Sequence, residues 1–399
     1  MLDDTLDLVD LIGADNMEPF WRHWPLESMP VHQPLERLAR ISDIPELANV
    51  QSLLQCLRRA TDLRVRVWFQ TGNGGLEQVT VDAIEAEKLY RSNCATVVVD
   101  NTQSLFPPIS DLMHNMRSQL GIPKALLSCN IYASPPGVGS IMHFDQQENF
   151  FVQLRGAKRW RTARNRHVEF PHTFYFGGPI SKDLRLLCDE LPRTMPEDAT
   201  TVTLRPGSVL FLPRGYWHES FTEEHSLALT LTFQVATWRE SILKVLSRRL
   251  LVDQTWRRPV IDSRTTPENA SPWHTLATQK LEDLKRVINS TEVMNELIDT
   301  VRGAERFVVS KDLSWQPAGD GGNSILVIRA DGTRKKLDCD AVLFPLLLWI
   351  RAQQGSFVWA DAIGRIGLRP GRISNGLRAQ LVSEGLILAA DEELGRAAS

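Results

Sequence analysis

Between residues 125 and 235 the chain breaks into short apolar runs separated by glycine and proline. The runs are Leu126–Tyr132, Asn149–Leu154, Lys158–Thr162, Thr201–Leu204, Val209–Leu212 and Leu227–Phe233. Many short strands at this spacing predict an antiparallel sandwich or barrel. The intervening stretch Pro179–Pro196 reads as a partly helical insertion.

The flanks have a different pattern. Residues 1 to about 30 read as irregular, and the string Phe20-Trp21-Arg22-His23-Trp24-Pro25 suits packing against a neighbouring domain. Helical spacing predicts a helix over 43–60, with Ser42 or Asp43 as N-cap, and further helices over 80–91 and 105–120. Val65–Phe69 and Thr96–Asp100 read as strands, with a turn at Gly72-Asn73-Gly74-Gly75. Beyond Thr237 the spacing of Ile242, Val245, Leu246 and Leu250 is helical. So is that of Leu276, Leu281, Leu284 and Val287, and of Val293, Leu297 and Val301. From about 305 two strands (Phe307–Ser310 and Ile325–Arg329) precede short helices, a turn at Arg369-Pro370-Gly371 and the strand Leu386-Ile387-Leu388. That order suits a winged helix.

Length and composition narrow the function classes. At 399 residues, two or three domains are expected. The longest apolar stretch, Ala341–Ile350, is about half a membrane span, and the opening Met1-Leu2-Asp3-Asp4 is acidic where a secretory signal is basic. The net charge of −3 argues against a whole-chain polyanion binder. Five widely spaced cysteines without a C-x-x-C pair form neither a disulfide framework nor a zinc ribbon. Reduced thiols and a cytoplasmic location are the expectation. Trp is 11 against 4 Tyr, which suits large packed cores or grooves.

The segment that carries chemistry is His143-Phe144-Asp145. In a strand, positions i and i+2 face one side, so this imidazole and carboxylate can converge. With one distant His they would form a 2-His-1-carboxylate facial triad, which leaves three metal positions open and suits non-haem Fe(II) oxygenases. His218 is the expected third ligand, set at a strand rim by the bend Pro213-Arg214-Gly215. His167, His172 and His225 are the alternatives, with His225 better suited to supporting the adjacent strand. Lys158, fifteen residues after His143, could pair with the far carboxylate of an α-keto diacid; a solvated hairpin cation beside Arg155, Arg159 and Arg161 is the other reading. Buried alone, its ammonium would be costly.

Several pieces together resemble the JmjC-type ribosomal oxygenases. They are Asn130-Ile131-Tyr132, Pro135-Pro136-Gly137, His143-Phe144-Asp145, Phe150–Leu154 with Gly156, Lys158 and Trp160, Pro213-Arg214-Gly215-x-Trp217-His218, and His225–Thr230. The resemblance implies a mainly β catalytic core, a double-stranded β-helix or jelly roll of cupin type, in an α+β chain. It implies Fe(II) held by His143, Asp145 and His218, 2-oxoglutarate as cosubstrate with O2, and Lys158 on its C5 carboxylate. Asn130, Tyr132 and Thr230 fall where the family places polar groups near the cosubstrate. For Asn130 a strand-end turn is the other reading, and Tyr132 and Thr230 are also common strand residues. Some members carry a His two residues before Thr230, where this chain has Ala228, and His167–Gly178 has no match.

The expected divisions are 1–100 supporting the barrel, 101–237 the JmjC core, 238–303 a helical dimerisation region and 304–399 a winged helix. The expected partners are a protein or peptide substrate, such as a ribosomal protein, and a second copy of the chain. A tailoring oxygenase acting on a biosynthetic peptide or small molecule would show the same triad, and N-methyl demethylation is chemically accessible. The rivals from other classes are a non-catalytic barrel and a DNA-binding regulator. Arg372, Ser374, Asn375, Arg378 and Gln380 suit a recognition helix. But residues 301–399 hold 13 Lys and Arg against 11 Asp and Glu, a weak footprint for DNA.

Overall fold

Alternation of side chains decides how the strands pack, because both faces of the central ones are buried. The computed structural model describes residues 6–59, 64–70, 76–122, 125–260 and 273–301. Beyond these it describes 306–310, 313–318, 324–329, 332–338, 343–353, 357–359, 362–363 and 372–389. The turns expected at 72–75 and 369–371 lie outside the described residues. The chain divides into two units, Met1–Ala236 and Thr237–Ser399.

Among the described residues the first unit has twelve strands: β1 (Met29–Val31), β2 (Arg64–Gln70), β3 (Leu76–Asp82), β4 (Thr96–Val99), β5 (Ala125–Ser134), β6 (Gly139–His143), β7 (Glu148–Arg155), β8 (Lys158–Ala163), β9 (Thr200–Leu204), β10 (Val209–Leu212), β11 (Trp217–Thr222) and β12 (Ser226–Val235). They form an eight-stranded sheet in the order β1-β10-β7-β12-β5-β4-β2-β3 and a four-stranded sheet in the order β6-β11-β8-β9. Apart from the β8–β9 hairpin, successive strands from β5 to β12 alternate between the sheets. This is the winding of a double-stranded β-helix, and with the flanking helices it makes the expected α+β chain.

On the large sheet, Cys129, Ile131, Phe150, Val152, Leu229 and Leu231 face a core shared with the helices α1 (Leu8–Ile12), α2 (Met17–His23), α3 (Ala39–Ser42), α4 (Val50–Arg59), α5 (Ala83–Arg91) and α6 (Pro107–Gln119). Their neighbours one residue along face the small sheet, where Phe151, Leu210 and Leu212 pack with Trp160 and Leu204. The central strands of the large sheet are thus covered on both faces, while β3 at its edge is exposed.

Residues 6–30 have more regular structure than their prolines and tryptophans suggest. Asp7 caps α1 through a reciprocal capping box with Asp10, and Pro19 sits in the first turn of α2, where its missing N–H costs little. Phe20 and Trp24 pack on the sheet, with Trp24 to Phe211 at 5.0 Å and Phe20 to Phe150 at 6.1 Å between ring centroids. The helix expected from 43 starts later. A 3-10 turn, Pro45–Leu47, intervenes, and Asn49 rather than Ser42 accepts the backbone N–H of Ser52. Residues 80–82 belong to β3. The 179–196 stretch holds a single 3-10 turn, Leu184–Leu186, docked by Leu184 on Phe144 and Trp217.

In the second unit, α7 (Trp238–Val252) begins with a capping box between Thr237 and Glu240. α8 (Trp273–Ile288) and α9 (Thr291–Val301) follow. Arg248 and Arg249 of α7 both pair with Glu296 of α9. Further along, β13 (Arg306–Val309), β14 (Leu313–Pro317), β15 (Ser324–Arg329) and β16 (Arg334–Asp338) precede α10 (Phe344–Arg351), β17 (Phe357–Val358), α11 (Arg372–Ser383) and β18 (Ile387–Ala389). β14 and β16, absent from the sequence reading, flank β15, while β13 lies between β17 and β18. Among the described residues no helix is long and apolar enough to cross a membrane.

Phe211 is fully buried amid Phe20, Trp24 and Phe150. Phe211→Ala is expected to cost about 3–5 kcal/mol by chemical denaturation, the usual toll of a large cavity.

Candidate metal centre

His143 ends β6 and His218 lies near the start of β11, and the two residues are direct cross-strand partners. Their rings lie 3.9 Å apart between centroids. Asp145, two residues past His143, turns to the same point, and one ligand atom from each of the three lies within 4.8 Å of the others. The backbone fixes both imidazoles. His143 Nδ1 bonds the Ile141 carbonyl at 2.7 Å, and His218 Nδ1 bonds the Tyr216 carbonyl at 2.9 Å. A carbonyl only accepts, so each Nδ1 carries a hydrogen, which leaves Nε2 as the ring atom available to a metal. His218 Nε2 stands 3.6 Å from Asp145 Oδ2.

Burial, reinforced by the neighbouring His218, pulls the His143 pKa well below the ordinary imidazole range. Burial also raises that of Asp145, against the pull of His218 and the Asn149 hydrogen bond. Two imidazoles and a carboxylate, turned to one point, fit a divalent first-row cation and leave part of its coordination sphere free. Phe176 stacks on His143 at 4.4 Å between centroids.

The backbone has little slack here. Gly215, with φ +85°, donates its N–H to the Asp145 carbonyl at 2.8 Å. A Cβ there would stand 2.7 Å from Pro171 Cδ. At Gly139, where β6 opens, a Cβ would lie 1.8 Å from the Ser220 carbonyl oxygen, so only glycine lets β6 close on β11.

The three residues open onto a cavity of about 570 Å³ between the sheets, lined also by Asn130, Tyr132, Lys158 and Thr230. Lys158 is only 6% exposed. Its ammonium donates to Ser134 Oγ at 3.3 Å, and no carboxylate pairs with it among the described residues. Burial pushes its pKa down to about 8. The solvated-cation reading of Lys158 therefore does not hold. Tyr132, whose pKa burial raises to about 12, bonds the Asn130 side chain. Asn130 Oδ1 also accepts from the backbone N–H of Asn101 at 3.2 Å. Thr230 is buried and pairs with Asn130 on one side and Phe151 on the other.

The alternative histidines lie elsewhere. His225 bonds the Tyr90 hydroxyl at 2.7 Å, His172 stands 3.9 Å from Asp183, and His167 is exposed. Sequence reasoning missed four groups. Asn149 donates to Asp145 Oδ2 at 2.8 Å. Ser134 holds Lys158 and accepts from Thr96 at 3.0 Å. Trp160 and Phe176 wall the cavity. The available signal was polarity at alternate positions: Asn130, Tyr132 and Ser134 share one face of β5.

Residues 103–241 match the JmjC domain family. An uncharacterized Bacillus subtilis protein, YxbC, is 24% identical over 66% of this chain and 81% of its own length. Ribosomal oxygenase 1 of Rattus norvegicus is 30% identical over 40% of this chain, a match spanning 25% of that protein. The crystal structure of the ribosomal oxygenase YcfD from Escherichia coli aligns over 94% of this chain and 98% of that one, with a TM-score of 0.49 and 16% identity. Residues 103–241 of this chain are thus similar to a JmjC domain, and the likeness to the ribosomal oxygenases is 30% identity to the rat protein.

Proposed function

We propose that the chain is an Fe(II)- and 2-oxoglutarate-dependent oxygenase that hydroxylates a side chain of a polypeptide. The observation that carries this reading is a pairing in one cavity. A two-imidazole, one-carboxylate set lies beside a buried ammonium that has no carboxylate partner among the described residues.

His143, Asp145 and His218 would hold the iron. When bound, the metal supplies O2 activation coupled to oxidative decarboxylation of 2-oxoglutarate, so that substrate C–H becomes C–OH with succinate and CO2 as coproducts. The chain's own groups bind and orient. Lys158 would take the C5 carboxylate, with Ser134 fixing its ammonium and Asn130, Tyr132 and Thr230 offering further polar contacts. Phe151, Trp160 and Phe176 form an apolar wall of the cavity, which lowers the local polarity around these contacts. The name of the rat relative supports a ribosomal protein as substrate, and the match spans 25% of that protein.

The dimerisation region proposed for 238–303 has support in its exposed apolar side chains, including Trp238, Leu243, Leu251, Leu281 and Met294. Arg378 and Gln380 lie on α11 of the proposed winged helix; the side chains of Arg372, Ser374 and Asn375 are outside the described residues.

His143→Ala and Asp145→Ala are expected to abolish 2-oxoglutarate turnover and to remove Mn(II) binding by calorimetry, with the fold retained by circular dichroism. Persistent decarboxylation in both would defeat the assignment. With ribosomal proteins as substrates, mass spectrometry is expected to show the gain of one oxygen atom, whereas loss of a methyl group with formaldehyde would mean demethylation.

Lys158→Met is expected to weaken 2-oxoglutarate binding about 10- to 100-fold, the loss of one charge-assisted contact of about 1.5–3 kcal/mol. The sign of the pH effect follows from burial. The ammonium must be charged to hold a carboxylate, and with its pKa near 8 it loses that charge as pH rises. Wild-type affinity is expected to fall above about pH 8, while Lys158→Met shows no such fall. Light scattering of the full chain at micromolar concentration is expected to give the mass of a dimer.

A further inference from the structure

We propose that Asn149 is a positioning residue for the Asp145 carboxylate, with its amide locked in one orientation by the Thr232 hydroxyl. The inference rests on the reading of His143, Asp145 and His218 as metal ligands. It adds a device, outside that set, that decides how the carboxylate is presented.

The geometry is a short relay on the cavity face of the large sheet. Asn149 Nδ2 donates to Asp145 Oδ2 at 2.8 Å, and Thr232 Oγ donates to Asn149 Oδ1 at 2.8 Å. Asn149 and Thr232 are direct cross-strand partners on β7 and β12, and both line the cavity. Asn149 is only 4% exposed, so its amide is largely shielded from bulk water.

Chemistry fixes the direction of every bond in this relay. An ionised carboxylate only accepts, so the amide atom facing Asp145 must be the NH2 group. The carbonyl end then faces Thr232, whose hydroxyl must donate. A reversed amide would set oxygen against oxygen at Asp145 and lose a donor to the carboxylate. Thr232 therefore acts only through Asn149, and Asn149 acts on the rotation of the Asp145 carboxylate. The backbone at Asp145 is held separately, by the Gly215 N–H on its carbonyl. With main chain and carboxylate both tethered, the one ligand that is not on a strand is oriented before metal arrives.

An arrangement that merely fills space would make different predictions from one that orients a ligand. The full-length chain is loaded with Mn(II), with affinity followed by electron paramagnetic resonance, and with Co(II), whose visible absorption reports coordination. Asn149→Leu keeps the branched shape and removes the hydrogen bond. It is expected to weaken Mn(II) binding about 10- to 100-fold, the usual effect of losing a partner of a metal ligand, and to alter the Co(II) spectrum. Thr232→Val is isosteric, and is expected to cost about 5-fold. Because Thr232 works through Asn149, the double variant should bind no more weakly than Asn149→Leu alone. Affinity within about twofold of wild type for Asn149→Leu, or additive losses in the double variant, would overturn the proposal. If Asn149→Leu lost its thermal transition, Thr232→Val would decide, since unchanged affinity and spectrum there also overturn it. Failure of the wild-type chain to bind Mn(II) at all would instead remove the ligand assignment on which the proposal stands.

Discussion

The central strands of the large sheet have to be covered on both faces, and much of the first unit follows from how that is done. One face carries Cys129, Ile131, Phe150, Val152, Leu229 and Leu231 and is sealed by helices. The other cannot be sealed in the same way, because its alternate positions include Asn130, Tyr132, Asn149, Ser134 and Thr230. Phe151, Leu210 and Leu212 close one part of it against Trp160 and Leu204. Where the polar residues stand, the sheets leave a cavity instead. Strand alternation thus separates a dry core from a functional interior using the same strands.

That interior is costly to build. A buried ammonium without a carboxylate, and two buried imidazoles beside one acid, would not be placed there for stability. Burial pulls the Lys158 pKa down to about 8 while the unfolded lysine stays near its ordinary value. Between those values the unfolded chain binds more protons, so stability rises with pH, and below about 8 the full cost of the buried charge is present. An anion on Lys158 and a cation between His143, Asp145 and His218 would both offset such costs. The cavity is the part of the fold most expected to gain from its ligands.

Much of this was legible in the sequence, for physical reasons that differ by element. β5, β7, β10 and β12 read as strands because burial on both faces leaves near-continuous apolar runs. β6 and β11, which carry the two imidazoles, did not. Gly139-Ser140-Ile141-Met142-His143 is half-buried throughout until its last residue, and Trp217–Thr222 mixes cavity-facing polar groups with surface ones. The histidines were found by the His-x-Asp spacing and the Pro-Arg-Gly bend, not by their strands. Ser134 and Asn149 were invisible as single residues, since each looks like an ordinary strand position. Their meaning depends on partners, Lys158 at 24 residues and Thr232 at 83 residues of separation, that only the register brings together.

The same register explains why the third ligand can come from so far along the chain. Arg214, with its side chain only 8% exposed, pairs with Glu148 at 3.3 Å and donates to the Val235 carbonyl at 2.6 Å. Glu148 opens β7 and Val235 closes β12, so one guanidinium ties two adjacent strand ends to the bend that precedes β11. The next residue, Gly215, reaches the Asp145 carbonyl. The distance between Asp145 and His218 is therefore set by a buried cation and a main-chain bond, both present before any metal binds. A buried ion pair of this kind contributes little net stability. What it does contribute is position, and at a site whose chemistry depends on three atoms meeting at one point, position is what the fold has to supply.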